Sequence, residues 1–343
     1  MKQESLYTPE GWINSALPMR DKATFVIMIG GRGIGKTFAV LRDIIESGED
    51  FVYMRRTEKQ IELAKTPDLN PFRAVNLVCG TDIVSGSISK SIAGFYHADE
   101  EGKATGEALG IGVALSTIAT IRGISSQARY MCYDEFIPER HERAIKEEGT
   151  AFLNAYETLN RNNELLGKPP LKCFLLSNSN TLESPVLEAL GCMETIDTMI
   201  RKCQYYRTMY DGQLAIYRYI DSPISAKKKN TVLYKVAHNA DFENMALSNE
   251  FSAANYENVR IEQIEQYQPL VSIGEVTVYQ HKARPQYYVV KGIKSPTRYT
   301  TLPTSKKQFK NVYWYLFDAL IDGRVSYASA PVKIAFERIF EHG

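Results

Sequence analysis

Eight consecutive residues, Gly30-Gly31-Arg32-Gly33-Ile34-Gly35-Lys36-Thr37, fit the pattern G-x-x-x-x-G-K-[ST]. Glycines in such a loop let backbone N–H groups curl around a phosphate chain without Cβ clashes. Lys36 would reach the β- and γ-phosphates, and the Thr37 hydroxyl would hold Mg²⁺. Phe38 then opens a run with helical spacing, whose N-terminal partial positive charge faces the same anion. Residues 30–38 are therefore the expected ATP-binding segment.

A second constellation lies downstream. Tyr130-Met131-Cys132-Tyr133 is an apolar run that ends in Asp134-Glu135. Beside a phosphate loop, the first carboxylate suits Mg²⁺ and the second suits orienting and deprotonating a water. Leu175-Leu176 ends in Ser177-Asn178. These two polar residues fit either a sensor of the γ-phosphate or a strand-capping turn. Arg55, Arg56 and Arg161 are each able to supply a cation to a phosphoryl transition state, in the same subunit or a neighbour. Residue type and spacing do not choose among them.

These residues need strands to carry them. Phe25–Ile29, Phe51–Met54, Tyr130–Tyr133 and Cys173–Leu176 are short apolar runs separated by helical patterns, Thr37–Ser47 and Ala151–Leu166 among them. The alternation predicts an α/β fold, a parallel sheet with helices on both faces, with ligands at the carboxyl ends of the strands. Gly80–Gly123 is rich in Gly, Ser and Thr and reads as loops and short strands. Lys227, Lys228 and Lys229 suit a linker. Beyond them, Val276–Gln280, Gln286–Val290 and Tyr299–Leu302 read as strands. Lys306–Asp322 reads as one helix with Phe309, Val312, Tyr313, Leu316 and Leu320 on its apolar face, capped by Thr304 or Ser305. A final short helix is expected over Val332–Phe340. The expected division is a P-loop domain over 1–203, a linker over 204–230 and a smaller α/β domain over 231–343.

Composition narrows the class. The 343 residues carry a net charge of +1 and 24% charged residues, a globular balance. No apolar run reaches about 18 residues and the first residues lack an apolar core, so neither a membrane span nor a secretory signal is expected. Five widely spaced cysteines suggest reduced thiols, with Cys132 and Cys173 in the core. The near-neutral total hides an asymmetry. No Asp or Glu occurs from Val276 to Phe317, a stretch that holds Lys282, Arg284, Lys291, Lys294, Arg298, Lys306, Lys307 and Lys310. Such a stretch is the expected footprint of a polyanion.

The phosphate loop, Phe51-Val52-Tyr53-Met54-Arg55-Arg56, Tyr133-Asp134-Glu135-Phe136-Ile137 and Leu176-Ser177-Asn178 occur in this order. Together, over roughly residues 24–180, they resemble the DNA-packaging ATPases (encapsidation proteins) of phi-29-like tailed phages, small relatives of terminase large subunits. The resemblance implies an additional-strand ATPase domain and an RNase-H-like second domain that is a vestigial nuclease. It implies a homo-oligomeric ring, expected to be pentameric, on the phage portal of the prohead. That ring would pump double-stranded DNA at the expense of ATP in the cytoplasm of the infected host, outside the mature virion. A packaging RNA is a further expected partner; a membrane is not. Arg32 matches the arginine inside the family's phosphate loop and Arg55 the arginine after its second strand. Arg161 falls at the trans-acting arginine finger, where the family's Arg-Asn-Arg becomes Arg161-Asn162-Asn163. Two metals bridging a phosphate need a carboxylate cluster. The acid-free strands of the second domain therefore predict DNA binding without cleavage. The competing readings are another P-loop motor, such as a helicase or loader, a terminase with an active nuclease, and a scaffold that binds without hydrolysis.

Overall fold

Strands covered on both faces by helices read as unbroken apolar runs rather than alternating ones. Phe25–Gly30 (β1), Lys172–Ser177 (β7) and Leu214–Tyr219 (β9) are such strands, almost wholly buried. They belong to a computed structural model that describes residues 6–121, 127–139, 142–237 and 243–341. The chain divides into two units: 1–190 with 201–251, and 191–200 with 252–343.

The first unit is built on nine strands. The others are Phe51–Arg55 (β2), Ile83–Ser89 (β3), Ile92–Ala98 (β4), Ala104–Ala114 (β5), Tyr130–Asp134 (β6) and Tyr206–Met209 (β8), in the order β3-β4-β5-β2-β6-β7-β1-β9-β8. From β5 to β9 every pairing is parallel; β3, β4 and β8 extend the two edges antiparallel. Strand β7 lies between β1 and β6. That insertion is the additional strand the resemblance implies.

Helices α1 (Ala16–Arg20), α2 (Lys36–Ser47), α3 (Glu58–Ala64), α4 (Arg73–Cys79), α5 (Glu148–Asn160), α6 (Pro185–Ala189), α8 (Pro223–Lys228) and α9 (Val232–Val236) complete this unit; α7 (Met193–Arg201) falls almost wholly in the second. Helix α2 ends at Gly48, whose φ of 69° suits a glycine cap, and buries Ala39, Val40, Leu41 and Ile44. Thr57 and Gln60 form a capping box that starts α3 directly after Arg55-Arg56.

Three expectations are corrected here. The segment 80–123, expected as loops and short strands, holds three strands of the main sheet, the last of them eleven residues long. The expected linker 204–230 holds β8, β9 and α8, because Leu214–Tyr219 is buried against β1. The helix expected over 151–166 begins at Glu148 and stops at Asn160, where Arg161 and Asn162 turn left-handed.

The second unit carries a mixed five-stranded sheet. Its strands are Tyr267–Ile273 (β10), Val276–His281 (β11), Tyr287–Lys291 (β12), Arg298–Tyr299 (β13) and Val325–Tyr327 (β14), ordered β13-β10-β11-β12-β14. Val271, Val278, Val289, Phe309, Leu316 and Phe336 form its core. The helix expected over 306–322 is two, Pro303–Val312 and Tyr315–Ile321, broken at Tyr313, whose ψ is 36°. Tyr313 stacks on Phe309 instead of continuing the helix, and Val312, expected in the core, is exposed. Leu302 and Pro303 open the first of these helices, in place of a Thr304 or Ser305 cap. No helix among the described residues is long and apolar enough to cross a membrane.

Candidate nucleotide site

The loop between β1 and α2 has the backbone its glycines predict. Gly33 and Gly35 sit at φ of 68° and 97°, where a Cβ is strained. Gly31 has no room for one: a Cβ there would lie 2.7 Å from the carbonyl oxygen of Ala246. Ile34 is buried, and its carbonyl accepts from the Ile13 N–H. Gly35 opens α2, and no side chain among the described residues caps that end, so first-turn N–H groups face the loop.

Lys36 is buried. Its Nζ donates to Gly30 O and Gly31 O, both at 2.8 Å, and to Asn178 Oδ1 at 2.9 Å. Burial pushes its amine down to about 7, against the pull of Asp134 and Glu135. Thr37 Oγ1 donates to Asp134 Oδ1 at 3.0 Å. Two hard oxygens so close, one at the start of α2 and one at the end of β6, suit Mg²⁺, which takes one or two protein ligands and completes its shell with phosphate and water. Among the described residues no cluster of three or more His, Cys, Asp or Glu side chains could hold a metal by itself. The donor set fits a cation that arrives with a nucleotide.

Asp134 is the hub. Tyr53 donates its hydroxyl to Asp134 Oδ2 at 3.3 Å, and Arg55 Nη1 reaches the same oxygen at 3.4 Å. Burial raises the Asp134 carboxyl, and Arg55 opposes that rise. The other Arg55 nitrogen, Nη2, binds Glu135. Glu135 has φ of 53°, an uncommon conformation that costs a residue with a Cβ about 1–2 kcal/mol. The kink takes the chain out of β6 and leaves the carboxylate half exposed. A cavity of about 210 Å³ is lined by Arg32, Gly33, Gly35, Lys36, Thr37, Phe38, Asp134, Glu135, Ser177 and Asn178. Ser177 Oγ is buried and has no hydrogen-bond partner among the described residues.

Other predicted residues lie elsewhere. Arg56 is fully buried and held by Glu148 and Glu142, so it cannot serve as a mobile cation. Arg161 is exposed at the end of α5. Its neighbour Asn160 accepts the Leu171 N–H at the start of β7, whereas Ser177 ends β7 beside the phosphate loop. A six-residue strand spans about 20 Å, so Arg161 faces away from its own site. The basic residues of the second unit fall into groups. Lys282 and Arg284 lie in the β11–β12 turn, while Lys291, Lys294 and Arg298 lie at the opposite end of that hairpin. Lys306 and Lys307 are on the helix 303–312, where Lys306 Nζ donates to Arg338 O at 2.6 Å.

Two neighbours of the site escaped the sequence analysis. Tyr53 shares a strand face with Arg55, two residues on, and that period was legible. Trp12 lies 3.4 Å from where a Gly35 Cβ would sit, a contact between distant segments that no local pattern marks. The segment after β9 also folds back: Arg32 N–H donates to Ala246 O, Asn249 Nδ2 to Ile29 O, and Lys228 Nζ to Arg32 O.

The profile of the podovirus DNA encapsidation protein (Gp16) family matches residues 6–268. No curated protein matches the chain by sequence. Among solved structures, the phage Phi-28 gp11 DNA packaging motor is similar over 98% of this chain and all of its own, with a TM-score of 0.62 at 18% identity. The ATPase domain of the Thermus phage P74-26 large terminase aligns over 72% of this chain and 96% of its own, at 14% identity and a TM-score of 0.39. With three-quarters of its length inside the family profile, the chain belongs to the podovirus DNA encapsidation protein (Gp16) family.

Proposed function

We propose that the chain is an ATP-driven motor that moves double-stranded DNA into a prohead, hydrolysing ATP where copies meet in a ring. One observation carries the ATPase reading: Lys36, Thr37, Asp134 and Glu135 converge on one cavity at the phosphate loop. Lys36 and the α2 N–H groups would bind the phosphates. Thr37 and Asp134 would hold Mg²⁺, which offsets charge on the triphosphate. Glu135 would take the proton of the attacking water once Arg55 releases it. Ser177 and Asn178, beside Lys36, would report loss of the γ-phosphate, and Arg32 and Arg55 would link the site to its neighbours. Arg161, some 20 Å from its own loop, would act on the next copy. The second unit would hold DNA through phosphate contacts without cutting it, a reading supported by the lack of acids from 276 to 317. The portal and a packaging RNA are its proposed further partners.

The test is ATP turnover with and without duplex DNA. Lys36→Ala and Glu135→Gln should each abolish turnover; intact rates in either would refute the site. Strand displacement from a forked duplex would favour a helicase, and plasmid cleavage in Mn²⁺ an active nuclease.

A further inference from the structure

Strand β9 runs parallel to β1 and ends level with the phosphate loop, with Tyr219 opposite Gly30. The chain then turns into α8 at the carboxyl ends of the strands, where ligands gather. Three lysines close this helix. Lys227 and Lys229 are exposed, as a solvated connection requires, but Lys228 is half-buried. Its Nζ donates to the Arg32 carbonyl and lies 3.1 Å from where a Cβ on Gly33 would sit. The Tyr234 ring centre is 5.8 Å away. Burial and the Arg32 charge lower the Lys228 amine, and no carboxylate among the described residues pairs with it.

The position of Lys228 along the loop decides what it can meet. Lys36 Nζ, the group that reaches the β- and γ-phosphates, is bonded to Gly30 O and Gly31 O. Residues 30–33 therefore flank the terminal phosphates, whereas Gly35, beside Trp12, opens α2. Arg32 and Gly33, the two residues that Lys228 touches, both line the nucleotide cavity. The Lys228 charge also reaches Lys36, whose amine it helps burial to hold down. An ammonium has three donors, and a carbonyl fills only one of them. Cations gathered without a carboxylate between them are relieved by an anion, and a phosphate oxygen is a stronger acceptor than a carbonyl.

We propose that Lys228 is a nucleotide-binding residue that contacts the γ-phosphate, so that α8 distinguishes ATP from ADP within a single copy. The proposal rests on the ATPase reading above and adds to that site a cation from beyond the last parallel strand. The flexible four-carbon stem lets Nζ pass from the Arg32 carbonyl to a phosphate oxygen without movement of the backbone. ADP offers no terminal phosphate and leaves the ammonium on Arg32. A lysine that only braced the loop would serve both nucleotides alike.

The experiment measures binding of AMP-PNP and of ADP, each with Mg²⁺, by calorimetry. Lys228→Met keeps an apolar stem and removes the donor. It should weaken AMP-PNP by about tenfold or more, the worth of one charge-assisted hydrogen bond, and leave ADP within about twofold. Lys228→Arg, which keeps the charge, should bring AMP-PNP back to within about threefold of wild type. Lys229→Met should change neither nucleotide. A second measurement needs no variant. Acylation of lysines in the wild-type protein, read by mass spectrometry, should modify Lys228, and AMP-PNP but not ADP should protect it. Equal loss of both nucleotides in Lys228→Met, loss of neither, or equal protection by both overturns the contact. Lys36→Ala tests the reading beneath it and should lose both nucleotides. If it does while Lys228→Met binds as wild type, the Lys228 contact falls and the phosphate-loop site stands. If Lys36→Ala binds both nucleotides as wild type, the site falls and the contact with it.

Discussion

Arg56 and Glu148 form a bidentate ion pair, Nε to Oε1 at 2.7 Å and Nη2 to Oε2 at 2.9 Å, with both side chains sealed from solvent. The pair ties the end of β2, one residue beyond Arg55, to the first turn of α5. Glu142 adds a third member at 2.9 Å. Removing Glu148 leaves the buried guanidinium with Glu142 alone, a loss of up to about 3–5 kcal/mol. Glu148→Ala should lower unfolding free energy by that amount. Replacing both with apolar residues, Arg56→Met with Glu148→Leu, should recover most of it. Denaturant titration of the variants decides the matter. A loss below about 1 kcal/mol in Glu148→Ala would show that the pair is not sealed as described.

The carboxylate hub and the phosphate-loop lysine set a pH window. Burial raises the Asp134 carboxyl, which must be ionised to hold Mg²⁺, so activity should be lost on acidification before an ordinary aspartate would protonate. Burial lowers the Lys36 amine to about 7, and its charged form is the one that would bind phosphate. Since kcat/KM reports the free enzyme, it should fall as pH rises above about 7. Arg55 is the strongest influence opposing the rise at Asp134. Arg55→Ala should therefore move the acid limb to higher pH. An unmoved acid limb would show that Arg55 does not govern Asp134.

Much of this site was legible because its parts are local in sequence. The loop 30–37 needs only its own glycines and the helix that follows. Asp134-Glu135 and Ser177-Asn178 follow from apolar runs that end in polar residues. Strand order was not readable from periodicity: nothing in Lys172–Ser177 tells that it separates β1 from β6. Likewise Arg218 interrupts the apolar run of β9 and the lysines of α8 suggest a solvated connection, yet β9 pairs with β1 along its whole length. The break at Tyr313 lies where its ring packs on Tyr299, from the preceding strand, as well as on Phe309. In each case tertiary packing overrode a local pattern.

Trp12 gives the site an optical handle. Its ring lies against Gly35, where α2 begins and the nucleotide phosphates would end. A flat, half-exposed aromatic there is suited to stacking on the base, worth about 1–3 kcal/mol in other base–aromatic pairs. Trp12→Ala should raise KM for ATP on the order of tenfold while kcat changes little, since the contact is equal in ground and transition states. The chain has two tryptophans, so fluorescence assigns the effect. Quenching by ATP should persist in Trp314→Phe and vanish in Trp12→Phe. Quenching that follows Trp314 instead would place the base elsewhere.

The basic stretch of the second unit divides by availability. Lys294 and Arg298 are exposed at one end of the β11–β12 hairpin. Lys306, by contrast, has its ammonium on the Arg338 carbonyl, and Lys291 lies 3.8 Å from Glu194. A phosphate contact displaces condensed counterions, so each lysine or arginine removed from a duplex interface lowers the slope of log affinity against log salt by about one. Lys294→Ala with Arg298→Ala should therefore lower that slope by about two. Lys306→Ala should leave the slope almost unchanged and act on stability. Duplex binding measured from 50 to 200 mM salt separates these outcomes. Equal slopes for wild type and the Lys294/Arg298 double variant would mean that this end of the hairpin is a solvated face, and that the polyanion meets other residues.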